Sequence, residues 1–249
     1  MTFDIERAAA LLIEARSQAR QVTPFSPAPS TSDEAYAVQD VVASRIGAIG
    51  AWKVGAKAAG QTPNAAPVPS RLVRPGPTDW PSSSLHMIGV EAELAFRLGR
   101  DIPARSEPVS RDEIWASIES VHAAIEVVDT RLADWRNADR LWVLADNQSN
   151  GGFVYDPKGA SLSAASFADA AVRLVVNGRA IVDRRGGNPA GDPRWLVEWL
   201  VDHCARRRGG MRAGMFVTTG SYTGMEFVEP GASVQAVFDG IGAVDLRFP

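Results

Sequence analysis

The sequence predicts an α+β fold in which helices come first and a β-rich body follows. Three observations support this prediction. The first 50 residues carry apolar side chains at helical spacing, most later segments alternate as strands do, and two further helical segments interrupt the strands. We therefore divide the chain into an N-terminal helical segment, residues 1–50, and a β-rich body, residues 51–249.

The N-terminal segment contains two predicted helices. Residues 3–21 place apolar side chains on one face after an acidic start, which is typical of an amphipathic helix. Residues 34–47 follow a predicted N-cap at Ser32 and end at Gly47.

The β-rich body begins with a short strand around Lys53. Residues 60–85 are rich in proline and serine, and we expect them to be irregular apart from a short strand around Arg71–Val73. Residues 89–100, GVEAELAFRLGR, alternate between apolar and polar side chains as a half-buried strand does. A helix capped by Ser110 then changes into a strand at residues 123–129.

The C-terminal part of the chain is predicted to contain a hairpin, a helix and a tail of strands. Residues 144–159 are polar and contain glycine, which predicts a turn region. Asn177-Gly178 joins two apolar runs and is the strongest short hairpin signal in the chain. Asp192 and Pro193 open a helix with one apolar face, and the tail beyond it reads as three short strands.

Length and composition indicate an ordinary globular protein. The chain has 249 residues, 45% of them hydrophobic, and a formal net charge of -3. It can bury a sizeable core, and it lacks the basic excess expected of a nucleic-acid partner. The single cysteine excludes an internal disulfide framework and favours a reducing cytoplasm. We find neither an apolar run of about 18 residues nor the basic start of a signal peptide, so we expect no membrane association.

Three glutamates are candidate metal ligands. Glu91 and Glu93 fall on the same face of the predicted strand, roughly 7 Å apart. Glu126 lies in an apolar run, where a carboxylate is costly unless something compensates it. Three such carboxylates could share a hard divalent cation, Mg²⁺ or Mn²⁺ rather than Zn²⁺. The spacing is equally typical of a strand edge with its charged side in water.

Other candidate site residues have ordinary interpretations of their own. Lys53 is typical of a strand-end lysine with its amine in water. The small and hydroxyl residues of TTGSYTG could form a tight turn, or their backbone N–H groups could bind a carboxylate. On the second interpretation the candidate substrate-binding residues include Thr219, Gly220 and Ser221.

The remaining titratable residues give weaker signals. His203 lies on the apolar face of its predicted helix, which favours a place in the core. His122 and His86 flank the predicted carboxylate strands and are minor candidates for the site. We expect Asp129 to support the metal ligands from behind or to pair with Arg131, rather than to bind the metal itself.

Six segments, taken together and in order, resemble a known family. The resemblance is to the 2-keto-4-pentenoate hydratase and 4-oxalocrotonate decarboxylase group of the fumarylacetoacetate hydrolase superfamily. It covers nearly the whole chain and is carried by EAYAVQD, WKVG, VEAELAFRLGRD, AAIEVVDTR, LADNQSNGGFV and TTGSYTG with the tail that follows.

The resemblance implies a fold and roles for particular residues. It implies a mixed β-sheet body of roll or barrel-like form, with Glu91, Glu93 and Glu126 binding the divalent metal. It places Lys53 against the metal-bound substrate. There a lowered pKa would let the amine move protons near neutral pH. It also places the segment that contains Ser149 near the substrate.

The resemblance also implies an activity. We expect a hydratase that adds water to a 2-hydroxy-2,4-dienoate in the catabolism of aromatic compounds, giving a 4-hydroxy-2-oxo acid. The alternatives are a decarboxylase or a carbon–carbon bond hydrolase acting on a small 2-oxo acid at the same metal, and a mainly structural partner subunit. The hydrolases of the superfamily use a His–Glu pair to activate water, for which we find no counterpart. The family forms homo-oligomers, so we expect one here.

Overall fold

The computed structural model describes residues 2–163 and 166–249. Within this part of the chain, the helices are α1 Ile5–Ser17, α2 Ser32–Ile46, α3 Arg111–Ser117, α4 Arg140–Ala145 and α5 Arg194–Arg207. The strands are β1 Ile49–Gly55, β2 Asn64–Pro69, β3 Val73–Pro75, β4 Thr78–Asp79, β5 Gly89–Leu98, β6 Ile102–Pro103, β7 Ile118–Val128, β8 Asn150–Tyr155, β9 Ala171–Val176, β10 Arg179–Arg185, β11 Gly210–Met211, β12 Phe216–Ser221, β13 Glu226–Phe227, β14 Ser233–Phe238 and β15 Gly242–Arg247.

The largest sheet carries the predicted site residues. Its strands run in the order β2-β1-β12-β5-β7-β8-β3, and β13 pairs with β5. The β1–β12 pair is parallel, whereas β5 is antiparallel to both β12 and β7. Successive side chains in a strand point to opposite faces, so Leu94 and Ile125 enter the main core while Glu93 and Glu126 lie on the other face.

A second sheet covers the apolar face of the first. Its order is β10-β9-β14-β15-β4. The main core cluster contains Val90 and Leu94 from the large sheet, Leu174 and Phe238 from the small one, and Leu196 from α5. Helices and mixed sheets together confirm the predicted α+β class. The alternate apolar side chains of residues 89–98 face this core, which explains the alternation in the sequence.

The two N-terminal helices form a separate core cluster with α4. Ala8, Val38 and Trp142 are buried together in it. The buried amide of Gln39 in α2 donates from Nε2 to Leu144 O at 2.6 Å, which ties α2 to the end of α4. The helical segment therefore packs on residues 132–145, and a domain boundary at residue 50 stays a prediction. Among the described residues, no helix combines the length and apolar character needed to cross a membrane.

Most local start and stop signals are confirmed. Asn177 and Gly178 adopt φ values of 50° and 78° and turn β9 into β10, as the Asn-Gly pair predicts. The cap of α2 is Thr31 rather than Ser32, because the Thr31 side chain accepts from Glu34 N. Helix α5 begins one residue later than predicted, at Arg194, whose N–H donates to the Asp192 carboxylate at 3.1 Å.

Three predicted irregular or strand regions need correction. Residues 60–85 contain β2, β3 and β4, and Pro67 is tolerated in β2 because that strand lies at a sheet edge. Residues 144–159 contain the end of α4 and all of β8, which pairs with both β7 and β3. The tail forms β12, β13, β14 and β15 rather than three strands, and the register of β12 against β5 shifts between Thr218 and Ser221.

Candidate metal centre

The register of two strands brings three carboxylates together. Glu91 in β5 lies directly opposite Glu126 in β7, and Glu93 follows on the same face of β5. Their carboxylate oxygens lie within 4.8 Å of one another. Glu93 and Glu126 are 1% and 0% exposed, so the alternative of a charged strand side in open water does not hold. An apolar patch that includes Ala95, Ala124 and Phe153 lies on the same face beside them.

Backbone and hydroxyl donors fix Glu93. The Thr218 hydroxyl and the Gly220 N–H, the latter at 3.1 Å, both donate to Glu93 Oε2. Gly220 has φ +83°, which turns its N–H toward that carboxylate at a position that favours glycine. The N–H of Gly220, a predicted substrate-binding residue, thus donates to a carboxylate of the protein itself.

The ammonium of Lys53 lies beside the cluster. Its Nζ is 2.6 Å from Glu126 Oε1 and donates to Gln148 O at 3.0 Å. The side chain is 12% exposed. Its neighbours Trp52 and Val54 point into the main core, so strand alternation directs Lys53 to the carboxylate face. The alternative of an amine in open water is therefore wrong.

Burial and mutual repulsion shift the pKa values of the cluster. Burial, and then the charge of Glu126, raise the pKa of Glu91 to about 7. The same two causes raise the pKa of Glu93 well above its usual range. Burial disfavours the Lys53 ammonium, but the three carboxylates outweigh it and raise the pKa of Lys53. The expected lowering of that pKa therefore depends on neutralising the carboxylates.

A left-handed turn completes the site. Asn147, Gln148 and Ser149 have φ values of 51°, 51° and 59°. Non-glycine residues in this region cost about 1–3 kcal/mol each and concentrate at functional sites. The turn presents Gln148 O to Lys53, and Asn150, which follows it, donates from Nδ2 to Glu126 Oε1 at 2.9 Å.

Several buried polar atoms around the cluster have no hydrogen-bond partner among the described residues. One is Glu126 Oε2, although Glu126 Oε1 accepts from both Lys53 and Asn150. A buried carboxylate oxygen without a donor is costly, and a hard cation would satisfy it. The donor set therefore fits Mg²⁺ or Mn²⁺. Further unpaired atoms lie in the left-handed turn and after it: Asn147 Oδ1, Gln148 Nε2 and Asn150 Oδ1.

The other predicted substrate-binding residues differ in availability. The buried Thr219 hydroxyl donates to Leu94 O at 2.9 Å, which ties β12 to β5 and leaves its side chain a structural role. The Ser221 hydroxyl donates to Gly224 O at 3.2 Å, and Ser221 lies opposite Glu93 where β12 pairs with β5, so it lies at the cluster. Ser149 lies within the left-handed turn, half-buried, and its carbonyl accepts from Asp129 N.

The histidines lie outside the carboxylate cluster. Both ring nitrogens of His122 are engaged, with Asp156 O at 2.7 Å and the Ser120 hydroxyl at 2.8 Å. His86 is exposed. His203 is half-buried rather than in the core, and it stacks on Trp199 with ring centroids 4.8 Å apart.

Three residues of the site are not predicted by the sequence pattern. The sequence does not distinguish Thr218 from its neighbour Thr219, because the two differ only in which face of the sheet their side chains point to. Gln148 and Asn150 lie in a segment whose polar composition predicts a turn but not its left-handed backbone. The sequence feature that could have identified Gln148 and Asn150 is the group of amide side chains that follows the strand with the predicted metal ligand Glu126.

Comparisons with known proteins identify the family. Residues 48–248 match the family described as fumarylacetoacetate (FAA) hydrolase C-terminal. The chain is 31% identical, over an alignment of 261 residues, to the 2-keto-4-pentenoate hydratase of Paraburkholderia phymatum, covering 98% of this chain and 97% of that protein. It is 32% identical over 173 residues to the 2-keto-4-pentenoate hydratase of Paraburkholderia xenovorans, which covers 68% of this chain but 61% of that protein.

A solved structure is similar over the whole chain. It is the 4-oxalocrotonate decarboxylase from Pseudomonas putida G7 complexed with magnesium and adipate. The TM-score is 0.86 at 25% sequence identity, covering 100% of this chain and 99% of that chain. The predicted architecture and the predicted resemblance are both confirmed, and the chain belongs to the fumarylacetoacetate hydrolase family.

Proposed function

We propose that this protein is a divalent-metal-dependent hydratase. It adds water to a 2-hydroxy-2,4-dienoate of the 2-keto-4-pentenoate type and releases a 4-hydroxy-2-oxo acid. The observation that carries the proposal is the buried trio of carboxylates with a lysine amine 2.6 Å from one of them. The 31% identity to a hydratase over nearly the whole chain supports the choice of reaction.

The chain's own residues would hold the cation. Glu91, Glu93 and Glu126 supply oxygen ligands of the kind that Mg²⁺ and Mn²⁺ prefer. Such a cation, when bound, supplies a Lewis acid that stabilises the enolate form of a 2-oxo acid. The charge of Lys53 and the donors to Glu93 hold the carboxylates in place, and they leave carboxylate oxygens available to a cation.

Lys53 is the residue proposed to move protons. Addition of water to a dienoate needs a proton delivered to the far carbon and hydroxide added to the neighbouring one. Lys53 Nζ is a titratable proton donor beside the cluster, and the backbone carbonyl of Gln148 fixes its direction. The unpaired amide atoms of Asn147, Gln148 and Asn150 are proposed to bind polar atoms of the substrate.

A decarboxylase is the second candidate. It is favoured by one observation, the whole-chain similarity to a 4-oxalocrotonate decarboxylase with a TM-score of 0.86. A carbon–carbon hydrolase has less support, because both ring nitrogens of His122 are engaged with Ser120 and Asp156 rather than with a carboxylate.

One experiment separates these reactions. The purified chain is mixed with Mg²⁺ and a panel of 2-hydroxydienoic and 2-oxo acids, and both dienol absorbance and CO₂ release are followed. A hydratase consumes the dienol without CO₂, and chelation of the metal stops it. Release of CO₂ from a vinylogous 2-oxo diacid would establish the decarboxylase instead. No turnover of any acid in the panel would refute both.

A further inference from the structure

The left-handed turn is a local conformation that its own residues do not favour. Asn147, Gln148 and Ser149 all lack the freedom of glycine, yet all three have positive φ. Contacts from outside the turn must therefore stabilise it. The conformation of the turn matters for the site, because it sets where Gln148 O meets Lys53 and where Asn150 Nδ2 meets Glu126.

A buried arginine binds the backbone on both sides of this turn. Arg131, 1% exposed, donates from Nη1 to Asn150 O at 2.9 Å and from Nη2 to Asp146 O at 2.7 Å. Its Nε donates to Asp146 Oδ1 at 2.5 Å, and Nη1 also donates to Asp129 O. The expected ion pair with the Asp129 carboxylate is present at 4.0 Å, and Asp146 is the closer partner at 2.5 Å.

A second arginine reaches the same carbonyl from the N-terminal helical segment. Arg16, in the last turn of α1, donates from Nη2 to Asn150 O at 2.7 Å. One carbonyl oxygen at the end of the turn thus accepts from two guanidinium groups. The segment that matches the family spans residues 48–248, so Arg16 comes from outside it.

The geometry points to Arg16 and Arg131 as positioning residues that clamp the left-handed turn and thereby set the directions of Lys53 and Glu126. Neither arginine has a hydrogen bond to the carboxylate cluster among the described residues. Both act through the carbonyl of Asn150, and Arg131 acts also through the carbonyl of Asp146. The inference rests on the proposed metal site, but not on the choice between hydratase and decarboxylase.

Arg16 is the better residue to test, because loss of the fully buried Arg131 could prevent folding. Arg16→Met keeps the apolar stem and removes the donors. Residues that support metal ligands typically change metal affinity by 10–100-fold when replaced. We expect Arg16→Met to weaken Mn²⁺ binding, measured by calorimetry, roughly tenfold. We also expect faster backbone hydrogen exchange in a peptide covering residues 146–151.

Controls separate clamping from general loss of stability. Arg16→Lys restores one donor and should recover part of both effects. Arg20→Gln removes an exposed arginine near the same end of α1, and Val197→Ala removes core volume from α5. Both controls should keep wild-type Mn²⁺ affinity and wild-type exchange in residues 146–151.

The readouts do not depend on turnover. The clamp is refuted if Arg16→Met keeps wild-type Mn²⁺ affinity and wild-type exchange of the turn, or if Val197→Ala reproduces both changes. A wild-type chain that binds Mn²⁺ but turns over none of the acids in the panel would refute the proposed function. The comparison of Arg16→Met with wild type would still test the clamp, because it measures only Mn²⁺ affinity and hydrogen exchange. Should Arg16→Met not fold, Arg16→Lys against wild type gives the same two measurements.

Discussion

The three carboxylates differ in how firmly the protein holds them. Glu93 accepts from Thr218 and Gly220, and Glu126 accepts from Lys53 and Asn150. Glu91 is only partly buried, and its pKa is raised to about 7 first by burial and then by the charge of Glu126. Two of the proposed ligands are therefore tied into the fold, whereas Glu91 mainly adds repulsion until a cation is bound.

Replacement of Glu91 should separate metal binding from folding. We predict that Glu91→Gln abolishes Mg²⁺ binding in calorimetry while the unfolding temperature stays unchanged or rises, because one repelling charge is removed. Glu126→Gln should also lose Mg²⁺ but unfold at a lower temperature, because it breaks the ion pair with Lys53. Unchanged Mg²⁺ affinity in both variants would show that the metal lies elsewhere.

Replacement of Lys53 should separate chemistry from metal binding. We predict that Lys53→Met lowers kcat by roughly 10²–10⁴, the usual contribution of a general acid–base group, with a modest change in KM. Mg²⁺ should bind at least as tightly, since a competing positive charge is lost. The matched control is Lys57→Met, an exposed lysine close by, which should retain wild-type kinetics. A wild-type kcat in Lys53→Met would remove Lys53 from the mechanism.

The sequence is informative about the carboxylate cluster because it places a charged side chain in a segment whose apolar residues predict burial. Glu126 in an apolar run indicates a compensated carboxylate from the residue pattern alone, whereas the alternation around Glu91 fits a strand side in water equally well. Thr218 cannot be chosen over Thr219 in the same way, because the facing of β12 depends on pairing with β1 and β5. Gln148 and Asn150 depend on a turn that distant arginines hold, and no local pattern encodes that contact.

Among the elements, helix α5 contains a histidine that couples folding to pH. Burial, and then the charges of Arg208 and Arg207, lower the pKa of His203 to about 4. In the unfolded chain a histidine titrates near 6.5. The unfolded chain therefore binds a proton that the folded chain does not between about pH 6.5 and pH 4, so the free energy of unfolding falls as the pH is lowered through that window.

Replacement of His203 should flatten this dependence. We predict that His203→Phe, which can still stack on Trp199, loses less stability than the wild type between pH 6.5 and pH 4. Denaturant unfolding at several pH values measures the difference between the two curves. His203 Nε2 is buried without a partner among the described residues, so stability at neutral pH should not fall. Parallel curves for the two proteins would contradict the assigned cause.

Elements with strong local signals are predictable, whereas elements made by pairing are not. The hairpin at Asn177-Gly178 and the strand at residues 89–98 carry their own turn and alternation signals. Strand β8 begins with Asn150 and two glycines, which favour a turn, and only its pairing with β7 and β3 makes it a strand. Strand β2 contains prolines that a central strand would not tolerate.

At the scale of the whole molecule, the assembly state stays a prediction. We expect at least a dimer at micromolar concentration, measured by light scattering, and a monomeric mass would contradict it. The seven tryptophans do not by themselves indicate an interface, because Trp52, Trp80 and Trp142 are buried within the chain. Of the described residues, the exposed large hydrophobic side chains are Ile181 and Phe227, and Phe227 lies on β13 beside the start of β5.

The direct pairing of Glu91 with Glu126 also has a consequence for how the chain reaches its native form. If β5 and β7 paired one residue out of register, one strand would turn its carboxylates into the apolar core. Such a misfolded chain could retain most of its strands but could not gather three oxygen ligands. A cation that binds only the native pairing stabilises it by mass action. Divalent metal present while the chain folds would then favour molecules with the native register.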